Sequence, residues 1–168
     1  MWVKRPLLQI IVLLCGSPVM SQQVGVNINN ESLQLKVNVQ QAFNFGVFAQ
    51  GATGGTISIL PNASRAASGS VIPLNMGGLY SPLILEIEGA KGTVISLLAG
   101  QTTILTGSNG GIMKLKLLDI NNSMPFIITN EAPAKNLVTI GAELIVGNMS
   151  ESPPGNYSGS LYLSFLTD

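Results

Sequence analysis

Apolar and polar residues alternate with a period of two along most of this chain. Met113, Leu115 and Leu117, for example, alternate with Lys114 and Lys116. Because successive side chains of a β-strand point to opposite faces, such a row places apolar residues against a core and polar residues in solvent. No comparable segment repeats at helical spacing, so the pattern predicts an all-β fold. The clearest rows lie at 33–40, 83–88, 113–117, 138–146 and 161–165.

Turn-forming residues separate these rows. Asn109-Gly110 is the strongest short hairpin signal, because both central positions of a type I′ turn need positive φ. We also expect a turn over 51–55, a hairpin over 89–92 and a break at 153–155 before the final strand. About nine or ten short strands with turns at roughly ten-residue spacing predict an antiparallel β-sandwich.

The first 21 residues have the order of a secretory signal peptide. Lys4 and Arg5 give a basic start, the apolar run 7–15 follows, and 19–21 is a small-residue exit. The apolar run is too short to cross a bilayer, which needs about 20 apolar residues. We therefore expect cleavage after Ser21, one β-sandwich domain over residues 22–168, export from the cytoplasm and no membrane span.

The predicted mature chain contains neither cysteine nor histidine, because Cys15 leaves with the signal and the sequence has no histidine. The domain must therefore fold on its hydrophobic core without disulfides. Ser–His and Cys–His nucleophiles cannot be built, and the usual imidazole and thiolate metal ligands are missing. We expect no metal, no cofactor and no enzymatic activity.

Glu86 and Glu88 form the one paired-carboxylate pattern in the chain. Two residues apart on a strand, they would share a face with Cβ atoms roughly 7 Å apart, which is loosely compatible with a glycosidase. Leu85 and Ile87 would occupy the opposite face, so the solvated face of a half-buried strand explains the pair better. A hydrolase is the least favoured interpretation.

The charge distribution excludes nucleic acid as a partner. Lys4 and Arg5 leave with the signal, and the eight acidic residues then outnumber the remaining cations. Without a basic cluster, the chain has no electrostatic means of binding a phosphate backbone.

Two regions carry a resemblance to a known family. Residues 44–48 (Asn-Phe-Gly-Val-Phe) precede Gly54-Gly55-Thr56, and residues 154–159 (Pro-Gly-Asn-Tyr-Ser-Gly) precede the last row. This order resembles the exported bacterial domain of unknown function 4402 family and, more loosely, spore-coat-U-like and fimbrial subunits. The resemblance covers about Leu33 to Phe165. It implies an immunoglobulin-like sandwich of a Gram-negative bacterium, located in the periplasm, at the cell surface or outside the cell.

The residues of these motifs are those that shape strands and turns. We expect their glycines to mark bends or positive φ, and Tyr157 to be buried with its hydroxyl bonded to nearby backbone. Arg65 should pair with a carboxylate or cap strand-end carbonyls, and an anion contact is the alternative. The predicted structural residues are Phe45, Gly46, Gly55, Arg65, Gly155, Tyr157 and Gly159.

The N-terminal residues of the predicted mature chain suggest a way of assembling. Val24, Val26 and Ile28 alternate with polar residues, as required of a donor strand that completes the sheet of another subunit. The alternative is that this segment pairs within its own sandwich or is disordered. We therefore expect a non-enzymatic structural or interaction protein, a subunit of a surface filament or coat, with copies of itself or other surface subunits as partners.

A second functional interpretation is a monomeric binding module for a glycan or another extracellular ligand. Most aromatic residues of the mature chain lie in phase with aliphatic neighbours and are predicted to be core. Tyr80 and Tyr162 are out of phase, so they are the predicted ligand contacts.

Overall fold

The computed structural model describes residues 23–27, 35–76, 79–97, 102–120 and 125–167. These residues form an all-β fold of twelve strands in two sheets. No helix in the described ranges is long and apolar enough to cross a membrane. The predicted signal peptide lies outside them. The strands are β1 (Gln23–Asn27), β2 (Lys36–Gln41), β3 (Phe48–Ile59), β4 (Arg65–Pro73), β5 (Leu83–Glu88), β6 (Val94–Leu97), β7 (Thr102–Gly107), β8 (Ile112–Ile120), β9 (Phe126–Ile127), β10 (Asn136–Val146), β11 (Tyr157–Ser158) and β12 (Ser160–Thr167).

β10 is the central strand of the larger sheet. β8 pairs with one of its edges, and the other edge pairs with β5 over 136–140 and with β3 over 142–146. The sheet continues from β8 through β7 to β11, from β3 to β4, and from β5 to β2. All of these pairs are antiparallel, which matches the predicted sandwich.

The smaller sheet has the strand order β1-β12-β6-β9. β12 is antiparallel to β6, and β6 is antiparallel to β9. β1 runs parallel to β12, with Gln23 opposite Ser160 and Asn27 opposite Ser164. The first described strand therefore lies beside the last one, at the edge of the sheet.

Residues 157–167 belong to both sheets, because β11 and β12 are consecutive and meet at Gly159. β11 pairs with β7 and β12 pairs with β6, and β6 and β7 are also consecutive along the chain. Tyr157 lies opposite Gly107, and Phe165 lies opposite Leu97. Both pairings therefore run antiparallel along one edge of residues 157–167, and β1 lies along the other edge.

The period-two rows decide which side chains are buried. Met113, Leu115 and Leu117 are buried and the two intervening lysines are exposed, as predicted. The apolar residues of the rows at 83–87, 138–146 and 161–165 are also buried, and one hydrophobic core joins residues of both sheets. Burying each such aliphatic side chain stabilises the fold by about 1.5–3 kcal/mol. The two inner faces thus hold the sandwich together without a cross-link.

The row at 33–40 follows the prediction only in part. Leu35 is buried, whereas Val39 is 39% exposed. The pairing of β2 with β5 shifts between Val39 and Gln41, and this bulge turns the end of the strand outward.

Three connections differ from the prediction. The glycine-rich residues 51–55 are not a turn between strands but an irregularity within β3, where Gln50 lies opposite Val71 and Gly55 opposite Gly69. The bulge merges two predicted strands into one, whereas the two-residue strands β9 and β11 raise the strand count above nine or ten.

Residues 89–92 are not a hairpin turn, since β5 belongs to the larger sheet and β6 to the smaller one. The loop instead crosses between the layers, where the amide of Gly92 donates to the carbonyl of Ile128 at 2.9 Å.

The hairpin between β7 and β8 is confirmed, but its turn is not of type I′. Positive φ occurs at Gly110 and Gly111 rather than at Asn109. The side chain of Asn109 instead donates to the carbonyl of Pro154 at 2.8 Å, which ties the turn to a neighbouring loop.

Candidate functional site: an uncharged cleft beside Tyr157

A cleft of about 730 Å³ lies between residues 44–50 and residues 152–157. Its floor is apolar and consists of Leu105, Met113 and Leu144, from three neighbouring strands of the larger sheet. The residues that line the cleft carry no charge. An apolar floor between two uncharged lips suits an extended apolar segment better than an ion or a phosphate-bearing ligand.

Arg65 holds the first lip, residues 44–50, in place. Its guanidinium group donates to the carbonyl of Phe45 at 3.3 Å and to the carbonyl of Leu74, also at 3.3 Å. It also donates to the side chain of Asn75 at 3.3 Å and lies 4.4 Å from the ring centroid of Tyr80. Its donors are engaged by carbonyl oxygens, so the geometry favours the predicted capping role over an anion contact.

Gly46 leaves room for this guanidinium group. Its φ is +70°, and a Cβ atom at this position would lie 2.7 Å from Nη1 of Arg65. Both the backbone conformation and the close approach therefore require glycine here. The Phe-Gly motif and Arg65, 19 residues apart in sequence, form one structural unit.

Tyr157 fixes the second lip, residues 152–157. Its side chain is buried, with 6% exposure, and its hydroxyl donates to the carbonyl of Pro153 at 2.6 Å. Burial raises the pKa of the Tyr157 phenol above its ordinary value. The amide of Asn156 donates to Oγ of Ser108, and the amide of Ser108 donates back to the carbonyl of Asn156. These bonds attach the lip to the turn between β7 and β8.

One edge of β3 faces the cleft without a strand partner in the described structure. β3 pairs with β4 over 48–50, but it pairs with β10 only from Gly55 onward. The amide of Leu74 donates to the carbonyl of Val47 at 2.9 Å, and hydrogen-bonded pairs alternate along an antiparallel ladder. The amides and carbonyls of Phe48 and Gln50 therefore point away from β4, toward the cleft. A sheet edge of this kind can accept an added strand.

The comparisons with known proteins agree with the sequence motifs. The family model described as "Domain of unknown function (DUF4402)" matches residues 35–165. The chain belongs to the DUF4402 family. No curated protein and no solved structure matches it. The matched span of this DUF4402 chain begins after β1, so β1 lies outside the part that defines the family.

The predicted donor residues of the DUF4402 chain fall in β1 or next to it. Val24 and Val26 lie opposite Leu161 and Leu163 of β12. Ile28 lies outside the described residues. In this structure the segment thus pairs within its own chain. This is the alternative to strand donation that the sequence left open.

The two predicted ligand tyrosines are not brought together. Tyr80 is 41% exposed and stands under Arg65 beside the first lip of the cleft. Tyr162 is 68% exposed and lies in β12, in the smaller sheet. The two tyrosines therefore do not form a shared stacking platform for a sugar.

The structural glycines of the family motifs differ in what they do. Gly55 has positive φ within the β3 bulge, whereas Gly155 and Gly159 serve as points of close approach. A Cβ atom on Gly155 would lie 2.9 Å from Oγ of Ser108, and one on Gly159 would lie 2.6 Å from the carbonyl of Ile104.

Glu86 and Glu88 each have a lysine partner. Glu88 pairs with Lys36 at 3.2 Å, and Glu86 pairs with Lys135 at 2.5 Å. The bond to Glu86 raises the pKa of Lys135, and burial opposes this effect. In the described ranges, no group of three or more acidic side chains converges as a metal site would require.

Sequence reasoning missed the most completely bonded polar side chain, Asn136. It is 3% exposed, and its Oδ1 accepts from the amides of Thr129 and Asn130 at 3.1 and 3.0 Å. Its Nδ2 donates to the carbonyl of Ile87 at 3.3 Å. The only signal in the sequence is an asparagine in phase with the buried residues that follow it in β10.

The cleft was also missed. Two of its floor residues, Met113 and Leu144, belong to ordinary period-two rows that predict core positions. The cleft borders these core residues where one edge of β3, at 48–50, has no strand partner in the described structure, and this depends on the strand pairing.

Proposed function

We propose that this DUF4402 protein is an exported, non-enzymatic structural subunit that assembles with copies of itself, or with other surface subunits, by strand addition. The observation that supports the proposal is the position of β1. This strand of five residues lies at a sheet edge, runs parallel to β12 and, within the described ranges, pairs with no other strand.

A strand held in this way is suited to exchange. Parallel pairing is slightly less stable per residue than antiparallel pairing, and a short edge strand contributes few contacts. The same segment of a second copy can form the same kind of backbone hydrogen bonds with β12, so exchange between copies loses little. Seven residues, 28–34, separate the segment from the span that the family model matches.

The composition of the segment agrees with this role. Residues 22–30 contain no charge, and Val24, Val26 and Ile28 occupy alternate positions. Their period matches that of β12, where Leu161 and Leu163 are buried. A strand with this pattern can bury its apolar face in the sandwich of any copy.

Sedimentation of the mature protein at increasing concentration tests the proposal. We expect the wild-type mass to rise with concentration and the double variant Val24→Asp/Val26→Asp to stay monomeric, because two carboxylates would have to be buried. The matched control Gln23→Glu/Asn27→Glu adds the same charge at positions that alternate with the valines and should assemble like the wild type. Identical monomers for wild type and variant at all concentrations would reject the proposal.

The second candidate is a monomeric binding module for an extracellular ligand, and the cleft is the observation that favours it. In that case Leu79→Asp, at the mouth of the cleft where Leu79 is 82% exposed, should abolish ligand retention without unfolding the protein. Tyr162→Ala, in the other sheet, is the control. Retention of glycans by both variants would exclude the cleft as a glycan site.

A further inference from the structure

Exposed apolar side chains gather around the first lip of the cleft. Met76 is 73% exposed and Leu79 is 82% exposed, the highest values among the large apolar residues of the described ranges. Val47 and Tyr80 are also exposed. These four residues are called the apolar patch below. A cluster of this kind marks a surface that contacts an apolar partner as well as water.

Backbone contacts bring the patch residues together. The amide of Leu74 donates to the carbonyl of Val47 at 2.9 Å, so the chain that leads to residue 76 starts beside the first lip. A Cβ atom on Gly46 would lie 3.5 Å from Cβ of Tyr80 and 3.6 Å from the carbonyl oxygen of Leu79. Residues 46–47, 74–76 and 79–80 therefore form one continuous part of the surface.

The stretch of chain that contains the patch carries almost no charge. Arg65 is the only charged residue between Lys36 and Glu86 in the sequence. No carboxylate of this stretch can therefore repel the phosphate groups of a lipid surface. The single cation lies 4.4 Å from the ring centroid of Tyr80, next to the patch.

Arg65 also satisfies the polar groups at the base of the patch. Its guanidinium group donates to the carbonyls of Phe45 and Leu74 and to the side-chain oxygen of Asn75, each at 3.3 Å. A segment that enters an apolar medium must satisfy its polar backbone groups internally, because no water is there to bond them. The carbonyls of Phe45 and Leu74 meet this requirement.

A lipid surface suits these features better than a second protein does. A protein interface surrounds its apolar centre with polar groups that bond across the contact. Met76 and Leu79 have no strong hydrogen-bonding group, whereas Tyr80 and Arg65 are of the types that lie at the level of lipid headgroups. The patch thus combines two aliphatic side chains for insertion with an aromatic residue and a cation for the interface.

We infer that the apolar patch attaches this protein to the surface of a lipid bilayer. Met76 and Leu79 insert among the acyl chains, and Tyr80 and Arg65 lie at the level of the headgroups. The two inserted side chains bury fewer methylene groups than one myristoyl chain, whose membrane binding is itself reversible, so the attachment is reversible too. The inference is independent of the proposed strand exchange, because no residue of β1 or β12 takes part in it.

Flotation of the mature protein with phosphatidylcholine vesicles tests the inference. We expect the wild type to float with the vesicles. The double variant Met76→Ser/Leu79→Ser should lower the partition coefficient about a hundredfold, roughly tenfold for each aliphatic side chain. The matched control Ile104→Ser/Ile112→Ser removes two exposed aliphatic side chains from β7 and β8 and should float like the wild type. Circular dichroism verifies that both variants are folded.

The other outcomes of this experiment would overturn the inference. A wild type that stays unbound, or an equal loss of binding in both double variants, would show that the patch does not recognise lipid. Binding that requires phosphatidylglycerol and disappears at high salt would be due to cationic side chains instead. If the wild type leaves the vesicles unbound and Met76→Ser/Leu79→Ser assembles less in sedimentation, the patch is a contact between proteins.

A single tryptophan reports insertion by an independent signal. With cleavage after Ser21, as the sequence predicts, the mature chain has no tryptophan of its own. Leu79→Trp keeps a large apolar side chain in the patch, and Ile112→Trp places the same probe on β8. We expect vesicles to shift the emission of Leu79→Trp to shorter wavelength and brominated lipid to quench it, with no change for Ile112→Trp. Emission of Leu79→Trp that does not respond to vesicles would contradict insertion.

Discussion

The hydroxyl of Tyr157 donates a hydrogen bond of 2.6 Å to the carbonyl oxygen of Pro153, four residues earlier. This bond closes the loop that precedes the last strand, and the ring of the same tyrosine packs into the core. One residue thus sets both the second lip of the cleft and the start of the strand that joins the two sheets.

Tyr157→Phe should lower the free energy of unfolding by about 1 kcal/mol, because it removes this bond and keeps the ring. Urea denaturation of the mature protein measures the change. Tyr162→Phe is the matched control, since Tyr162 is 68% exposed, and it should leave the midpoint unchanged. Equal midpoints for wild type and Tyr157→Phe would show that the bond contributes nothing.

The fold should lose stability at alkaline pH. Burial raises the pKa of Tyr157 above the value of about 10 that it has in the unfolded chain. The contribution of the neutral phenol is therefore complete below that pH and is lost as pH rises through the pKa of the folded state. The urea midpoint of the wild type should be lower above pH ~10 than at neutral pH. The midpoint of Tyr157→Phe should fall less over the same range. An equal decline in both proteins would assign it to other groups, Lys135 among them.

Arg65→Lys should destabilise the protein by about 1–2 kcal/mol, because a lysine cannot reach the separate carbonyls that the guanidinium group bonds. Thermal unfolding followed by circular dichroism measures the loss. Lys116→Arg, at an exposed position on β8, is the control for replacing one cationic side chain with another at a site without such contacts. A lysine variant as stable as the wild type would mean that Arg65 does not hold the first lip.

Asn136→Ala should cost about 2–4 kcal/mol, since the buried amides of Thr129 and Asn130 would lose their acceptor. Asn38→Ala, on an exposed position of β2, should change stability by less than about 0.5 kcal/mol. Denaturation in urea compares the two variants directly. Equally small losses of stability in both variants would show that Asn136 does not hold the loop before β10 in place.

The sequence predicts the faces of the strands well and their partners poorly. The rows of β8, β10 and β12 have the expected buried and exposed sides, because a period of two decides the face of a side chain locally. The pairing of β5 and β6 with different sheets depends on contacts far apart in sequence. For this reason the turn residues at 89–92 predict a hairpin that the structure does not contain.

At the candidate site, too, local features can be predicted from the sequence and contacts between distant segments cannot. Tyr157 and Arg65 could be singled out from family motifs, and their bonds to nearby carbonyls follow from residue chemistry. The cleft could not be predicted, because Met113 and Leu144 have the same sequence pattern as fully enclosed residues. Its opening depends on where β3 leaves β10, which a bulge at glycines decides.

Trapping of Gly25→Cys with Tyr162→Cys in a mixture of the two mature proteins tests the central claim, the exchange of the N-terminal strand between copies, most directly. These residues lie opposite each other at the middle of β1 and β12. We predict a covalent dimer that contains one chain of each variant and whose yield rises with concentration. A mixture in which the two variants stay unlinked to each other at every concentration would contradict the account.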